Sequence, residues 1–194
     1  MSAQLDSFAA RLAARSASIT QREDASGRRA AVAAILRERD ARAEILFIKR
    51  AEREDDPWSG HMAFPGGQRE PDDATLLATA IRETREEIGI DLARARAIAR
   101  LPDVMPYSRL PKQLTVTAFV FALDAVIDAP FAPNAEVARV VWTPLDDVLS
   151  NAHATTFRFQ RDGVDLLLPA LEVEGEIVWG LTYRMLELLR EASA

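Results

Sequence analysis

Residues 64–90 narrow most sharply what this chain can fold into. They read Phe64-Pro65-Gly66-Gly67, then an acidic loop, then Arg82-Glu83-Thr84-Arg85-Glu86-Glu87-Ile88-Gly89-Ile90. At about 100° per residue on a helix, Leu77, Ala80, Ile81, Thr84 and Ile88 fall on one stripe, and Glu83, Glu86 and Glu87 fall on the flank beside it. The spacing therefore predicts a helix that packs one face and gathers negative charge on the next. Asp72, Asp73 or Thr75 can cap its first amides, and Gly89 suits a left-handed residue at its end. Three carboxylates this close repel one another, so a fold that keeps them ionised supplies a counter-charge. Arg82 can neutralise part of it, and the hard oxygen ligands suit Mg2+ or Mn2+. A solvated helix face with supporting i, i+4 pairs reads the same way when taken alone. The glycine turn that precedes the helix is what separates the two readings.

Composition bounds the rest. A chain of 194 residues with 48% hydrophobic residues can bury a sizeable core in one domain. Its net charge of -6, from 24 basic and 30 acidic side chains, argues against a nucleic-acid-coating surface and against an anionic membrane as partner. No stretch is long or apolar enough to span a bilayer and no apolar signal core opens the chain, so a cytoplasmic location is expected. Without cysteine there is no disulfide, thiolate nucleophile or cysteine zinc site.

Hydrophobic periodicity predicts a helix over Ser2 to Ser16 with Leu5, Phe8 and Leu12 on one side, followed by a polar loop from Gln21 to Arg28. Residues 1–28 read as a helical arm on a domain of residues 29–194. Strands are expected at Ala30 to Leu36, Ala43 to Lys49, Ala95 to Leu101, Leu114 to Leu123 and Val137 to Trp142, with a helical turn at Asp146 to Leu149. Thr155 to Arg161 and Val164 to Leu168 read as a hairpin about Asp162-Gly163, and Leu181 to Glu191 as a last helix.

The run from Gly67 to Ile90 resembles the signature of the Nudix hydrolases, G-x5-E-x7-R-E-U-x-E-E-x-G-U with U aliphatic. Asp73 stands at the first glutamate, the spacer to Arg82 is eight residues instead of seven, and Thr84 replaces an aliphatic residue. The longer spacer is similar to that of the coenzyme A diphosphatase branch. So are the run from Leu46 to Ala51 leading to Gly60-His61-Met62-Ala63-Phe64-Pro65-Gly66-Gly67, and Val178-Trp179-Gly180-Leu181-Thr182 near the end. Between them, Glu52 to Ser59 is one residue longer and more acidic than in that branch.

The resemblance implies an α/β Nudix fold, an α/β/α sandwich with a mixed central sheet and the catalytic helix on one face. It implies metal-assisted hydrolysis of a pyrophosphate in a nucleotide substrate, with Mg2+ or Mn2+ on Glu83, Glu86 and Glu87 and with Arg82 in the catalytic set. A base comes either from a glutamate of the box or from a later loop, where Glu136 is the candidate and a solvated loop glutamate is the plain alternative. Substrate contacts are expected at Gly66, Gly67, Arg50 and Arg109, with Lys112 and Trp58 as further candidates. His61 reads either as a substrate contact or as a strand-edge residue. The substrate implied is coenzyme A or acyl-CoA, giving 3',5'-ADP and 4'-phosphopantetheine. A pyrophosphatase for ADP-ribose, a dinucleotide or a modified nucleotide is the alternative, and a ligand-sensing domain without turnover is the third reading. Homodimers are common in the family, and the sequence leaves open whether this chain works alone or as a homodimer.

Overall fold

The computed structural model describes residues 3–16, 27–54, 59–106, 114–123, 131–161 and 163–193. Two sheets and four helices make up these segments. The larger sheet is mixed and seven-stranded. Strands β1 (Arg28–Arg39) and β2 (Arg42–Arg50) form a hairpin over the turn Asp40-Ala41, both in the left-handed region. They stay paired only from Leu36↔Ile45 to Arg39↔Arg42. Beyond that they part, and two short strands fill the fork. Strand β3 (Met62–Ala63) pairs with β2, and β4 (Gly66–Gln68) pairs with β1.

On its other edge β1 runs parallel to β6 (Leu114–Ala122), which pairs with β5 (Arg96–Arg100). Strand β7 (Val137–Pro144) lies antiparallel to β2 from Glu44 to Arg50. The fork has a functional consequence: it aims the ends of β2, β3 and β4 and the start of β7 at one region.

Two cores flank this sheet. On one side Leu76, Ala80 and Ile88 of helix α2 (Leu76–Ile88) pack with Ile35, Leu46, Ile48 and Phe121. On the other, Phe47, Leu36 and Val120 meet helices α1 (Ala3–Ser16), α3 (Leu145–Ser150) and α4 (Gly180–Ser193). A sandwich results because the inner strands present apolar side chains to both faces, and each fully buried one contributes about 1.5–3 kcal/mol. Leu5, Phe8 and Leu12 of α1 are at most 2% exposed, so the predicted apolar side of this helix lies in the main core. Arg11 and Arg15 donate to the carbonyls of Ser193 and Glu191, putting positive charge at the C-terminus of α4 where the helix dipole favours it.

A second, three-stranded sheet was not fully anticipated. Strands β8 (Ala154–Arg161) and β9 (Val164–Val173) form the expected hairpin, with Arg161 opposite Val164 and Gly163 at φ 75°. Asp162 lies outside the described residues. Strand β9 runs five residues past its predicted end at Leu168 and gains β10 (Glu176–Trp179) as a second partner.

Candidate functional site

The Phe64-Pro65-Gly66-Gly67 turn is anchored on both sides. Phe64 is 2% exposed and stacks on Phe47 at 5.2 Å, while Ala33 N–H donates to Pro65 O at 2.8 Å. Gly66 has φ 148°, and a Cβ there would sit 2.3 Å from Ala31 O and 2.5 Å from Val32 Cα. Its N–H donates to Glu87 Oε2 at 2.8 Å. A Cβ on Gly67 would lie 2.5 Å from the carboxylate carbon of Glu83. The two glycines thus let strand β4 sit directly against two of the box glutamates.

Helix α2 begins at Thr75, whose Oγ1 accepts from Ala78 N–H at 3.1 Å, and ends on left-handed Gly89 at φ 78°. Of the three predicted capping residues, Thr75 takes the role. Asp73 has another. Buried to 6% exposure, it accepts from Glu70 N–H, Thr79 Oγ1, Arg82 Nε and Arg82 Nη2 at 2.9–3.0 Å. The one-residue-longer spacer therefore closes as a loop tied by its own aspartate to the arginine of the box. That Arg82 hydrogen bond holds the Asp73 carboxyl down at about 2. Asp73→Asn would take the charged acceptor from Arg82 Nε and Nη2 while Glu83 and Glu86 stay paired with Nη1, at a cost of about 1.5–3 kcal/mol by urea unfolding near neutral pH. Because the folded-state value is depressed from 3.8, the contribution is fully present above about 4 and is lost as pH falls towards 2. An unchanged midpoint would show that the knot is dispensable.

The predicted packing stripe is found, and it is wider than expected. Ala80, Thr84 and Ile88 are buried and Leu77 and Ile81 pack partly buried against the same core, while Leu76, Thr79 and Glu87 are buried as well. Thr79 meets Asp73 and Glu87 meets Gly66, and these polar contacts extend the buried face beyond its apolar stripe. Thr84 is tolerated there because its hydroxyl donates to Ala80 O at 2.7 Å.

The three box glutamates keep the flank that their spacing of three and four gives them, at graded depths. The Glu86 side chain is 55% exposed and that of Glu83 18%, whereas Glu87 as a residue is 3% exposed. Arg82 Nη1 bridges Glu83 and Glu86 at 3.0 Å each, and its Nη2 donates to Gln68 O. Among the described residues no three metal-ligating side chains converge on a single point. The guanidinium takes two of the three charges.

Burial pushes Glu87 up to about 7, against the Gly66 N–H and the charge of Arg50, which favour its ionised form; Glu83 and Glu136 add repulsion. Burial also raises Glu83, with Arg82 opposing. Two carboxylates whose ionised forms are penalised by burial, a third with open access to solvent, and a strand that passes without a Cβ at Gly67 make an all-oxygen donor set that fits a hard divalent cation.

The later-loop candidate is brought to the same place. Ala132 N–H donates to Ile88 O and Asn134 N–H to Glu87 O, so residues 131–134 close the C-terminal end of α2. Asn134 Oδ1 then accepts from Glu136 N–H at 2.8 Å, and Glu136 O accepts from Ala51 N–H at 2.8 Å. The Glu136 carboxylate pairs with Arg53 Nη1 at 2.9 Å. Arg50 stands one residue before Ala51, and its N–H donates to His61 O at 3.0 Å. Arg53 and Asn134 belong to this constellation although periodicity gave no sign of them. The left-handed Gly89, where a Cβ would come within 2.8 Å of Ala132 Cβ, was the available hint that another segment crosses the helix end.

Arg109, Lys112 and Trp58 lie outside the described residues, as do Tyr107, Ser108 and Pro111. An open groove lined by Ile81, Arg82, Arg85, Glu86 and Asp91 runs along the outer side of the helix.

A forked mixed sheet between helices, with a Gly-Gly strand against a glutamate-bearing helix, is the architecture of a Nudix domain. The family model of the NUDIX domain matches residues 27–164, and the chain belongs to the Nudix family. It is 31% identical over 134 residues to the Nudix hydrolase NudL of Yersinia pestis, covering 69% of this chain and 64% of that protein. A Schizosaccharomyces pombe protein is 38% identical over 115 residues, covering 54% and 33%. The chain thus spans just under two thirds and one third of the lengths of these relatives. Among solved structures, a NUDIX hydrolase from Alicyclobacillus acidocaldarius superposes with a TM-score of 0.57 at 20% identity, over 87% of this chain and 93% of that one. A C. elegans Ap4A hydrolase in a binary complex gives 0.52 at 22% identity, over 63% and 84%. These two likenesses show the fold.

Proposed function

We propose that this chain is a metal-dependent pyrophosphohydrolase acting on a nucleoside-diphosphate-linked substrate, and that the substrate is coenzyme A or an acyl-CoA. The observation that carries the chemistry is the contact of the glycine strand with the helix, Gly66 on Glu87 and Gly67 on Glu83. Glu83, Glu86 and Glu87 would hold Mg2+ or Mn2+. A cation bound there neutralises diphosphate oxygens and acidifies water. Arg82 steadies Glu83 and Glu86 from the side of the Asp73 knot, and Arg50 places positive charge at the diphosphate beside Glu87. Glu136 takes the proton from the attacking water, and its pairing with Arg53 at 2.9 Å holds the carboxylate in place.

The coenzyme A reading is supported by sequence features, namely the eight-residue spacer, the run from Gly60 to Gly67 and the segment from Val178 to Thr182. Its test is product analysis with coenzyme A, dephospho-coenzyme A and ADP-ribose supplied in parallel with Mg2+ or Mn2+. Formation of 3',5'-ADP and 4'-phosphopantetheine, with coenzyme A preferred over the dephospho form, is expected. Glu136→Gln is expected to lower kcat by about 10²–10⁴-fold, the range for loss of a positioned base. Cleavage of ADP-ribose alone would contradict the substrate, and full activity in Glu136→Gln would return the role of base to the box.

A further inference from the structure

Three rings from three separate segments meet beside the candidate site, and the mechanism above uses none of them. Trp179 ends β10, Phe157 lies in β8, and His61 precedes β3. Trp179 and Phe157 are stacked at 4.2 Å and 17°. His61 stands edge-on to both, 4.8 Å from Trp179 and 6.4 Å from Phe157. These separations form a triangle with nearly a right angle at Trp179, so Phe157 covers one face of the indole while His61 sits at its rim. Phe159 tilts against the same indole at 5.6 Å.

Strand register explains the grouping. Trp179 pairs with Ala170, and Ala170 with Thr155, so Trp179 shares a sheet face with Phe157, Phe159 and Leu168. The small Ala170 and Thr155 leave the indole room to lean onto Phe157. All four rings are only partly buried.

Position gives the group its meaning. Arg50 N–H donates to His61 O, and Ala51 N–H donates to Glu136 O. Arg50 lies opposite Val137, so the Glu136-Val137, Arg50-Ala51 and His61 segments lie side by side across the ends of β7, β2 and β3, and the His61 ring contacts Trp179. The second sheet is clamped to this edge by Glu176, which pairs with Lys49 at 2.6 Å and with Arg139 at 3.6 Å. A diphosphate lying across Glu83, Glu87 and Arg50 would direct one of its two substituents towards the rings.

We infer that Trp179, Phe157 and His61 form the seat for the planar base of the substrate's nucleoside half. The assignment rests on the hydrolase reading for the placement of the diphosphate. Flat stacked rings take any base by its π-face, and the imidazole stands edge-on at their rim.

The test uses ligands that need no turnover. AMP and ribose 5-phosphate, which differ by the base, are titrated by equilibrium dialysis and by tryptophan fluorescence. AMP is expected to bind at least about tenfold more tightly than ribose 5-phosphate and to quench the emission. Trp179→Ala and Phe157→Leu should each weaken AMP by about tenfold, while Trp179→Phe keeps the affinity and loses the quench. Leu167→Ser, which alters the opposite face of the same hairpin, should bind AMP as the wild type does. With a diphosphate that is turned over, the loss in Trp179→Ala should fall on KM rather than kcat.

Equal AMP affinity in Trp179→Ala and Phe157→Leu overturns the inference. So does a dimer, seen by light scattering, that either variant converts to monomer with AMP binding intact, because the face then joins two copies. Quenching by AMP without cleavage of any diphosphate would remove the hydrolase reading and leave the base seat; cleavage without ring dependence would do the reverse.

Discussion

Glu87→Gln is expected to do two opposite things: to abolish metal-dependent turnover, by about 10³-fold or more, and to stabilise the metal-free protein at neutral and alkaline pH. The first effect follows if Glu87 is a cation ligand, since an amide offers a neutral oxygen where a full charge is needed, and 10³-fold corresponds to about 4 kcal/mol of transition-state stabilisation. The second follows from burial. A carboxyl raised from 4.5 to about 7 in the folded protein binds more proton there than in the unfolded chain. Its penalty is absent below about 4.5, grows as pH rises through the interval, and is complete above about 7, where it amounts to roughly 3 kcal/mol. Glutamine keeps the acceptor for Gly66 N–H and removes the charge. Urea unfolding in chelator at pH 5 and pH 8 should therefore show the variant gaining on the wild type only at the higher pH. Saturating Mn2+ should erase that advantage by stabilising the wild type alone. A variant less stable than wild type at pH 8 would show that Glu87 is not held at the expense of the fold. Proton and cation compete for the same oxygens, so the acid limb of activity should also move to lower pH as Mg2+ is raised.

Gly66→Ala carries the largest expected loss of stability, more than about 3 kcal/mol in chemical denaturation, with much of the protein insoluble. The added Cβ would lie 2.3 Å from a backbone oxygen and 2.5 Å from a backbone carbon of β1, neither of which can swing aside, and φ 148° disfavours any L side chain besides. Only separation of β4 from β1 relieves the clash, and that removes the amide from Glu87. Gly67→Ala is the informative contrast. Its Cβ meets only the end of the Glu83 side chain, at 2.5 Å, so the chain should fold within about 1 kcal/mol of wild type while Glu83 is pushed from its place and metal-dependent activity falls. Equal stability of Gly66→Ala and wild type, measured by urea midpoint, would contradict the close pairing of β4 with β1.

What could be read from residues alone followed local physics. The helix from Leu76 to Ile88, its Thr75 and Gly89 caps and the Arg161-to-Val164 hairpin rest on contacts within a few positions of each other, and the buried side of α1 showed in its periodicity. The inclusion of Glu87 in the buried face of α2 did not, because its partner Gly66 is 21 positions away. Arg53 and Glu136 are 83 residues apart and meet only because β7 lies along β2. Strand β10 was hidden by its length of four residues and by the tight Glu174-Gly175 turn, both residues left-handed, that joins it to β9. Pro169 read as the end of a strand, yet β9 passes through it. β10 reaches only to Ala170, so position 169 has no ladder partner on that side to lose. The box motif, by contrast, was legible because its spacing encodes chemistry, and Asp73 shows how a substituted position is reused as a tie for Arg82.

The measurement that bears most directly on the account is phosphate-ester product formation from coenzyme A by the wild type and by Glu86→Gln, each with chelator and with increasing Mn2+, alongside calorimetric Mn2+ binding to both proteins. Glu86 is the exposed member of the carboxylate set, so its loss should leave the fold intact. Mn2+-dependent scission of the pyrophosphate by the wild type is expected, with both Mn2+ affinity and turnover lost in Glu86→Gln. Wild-type Mn2+ affinity and undiminished turnover in Glu86→Gln would contradict it.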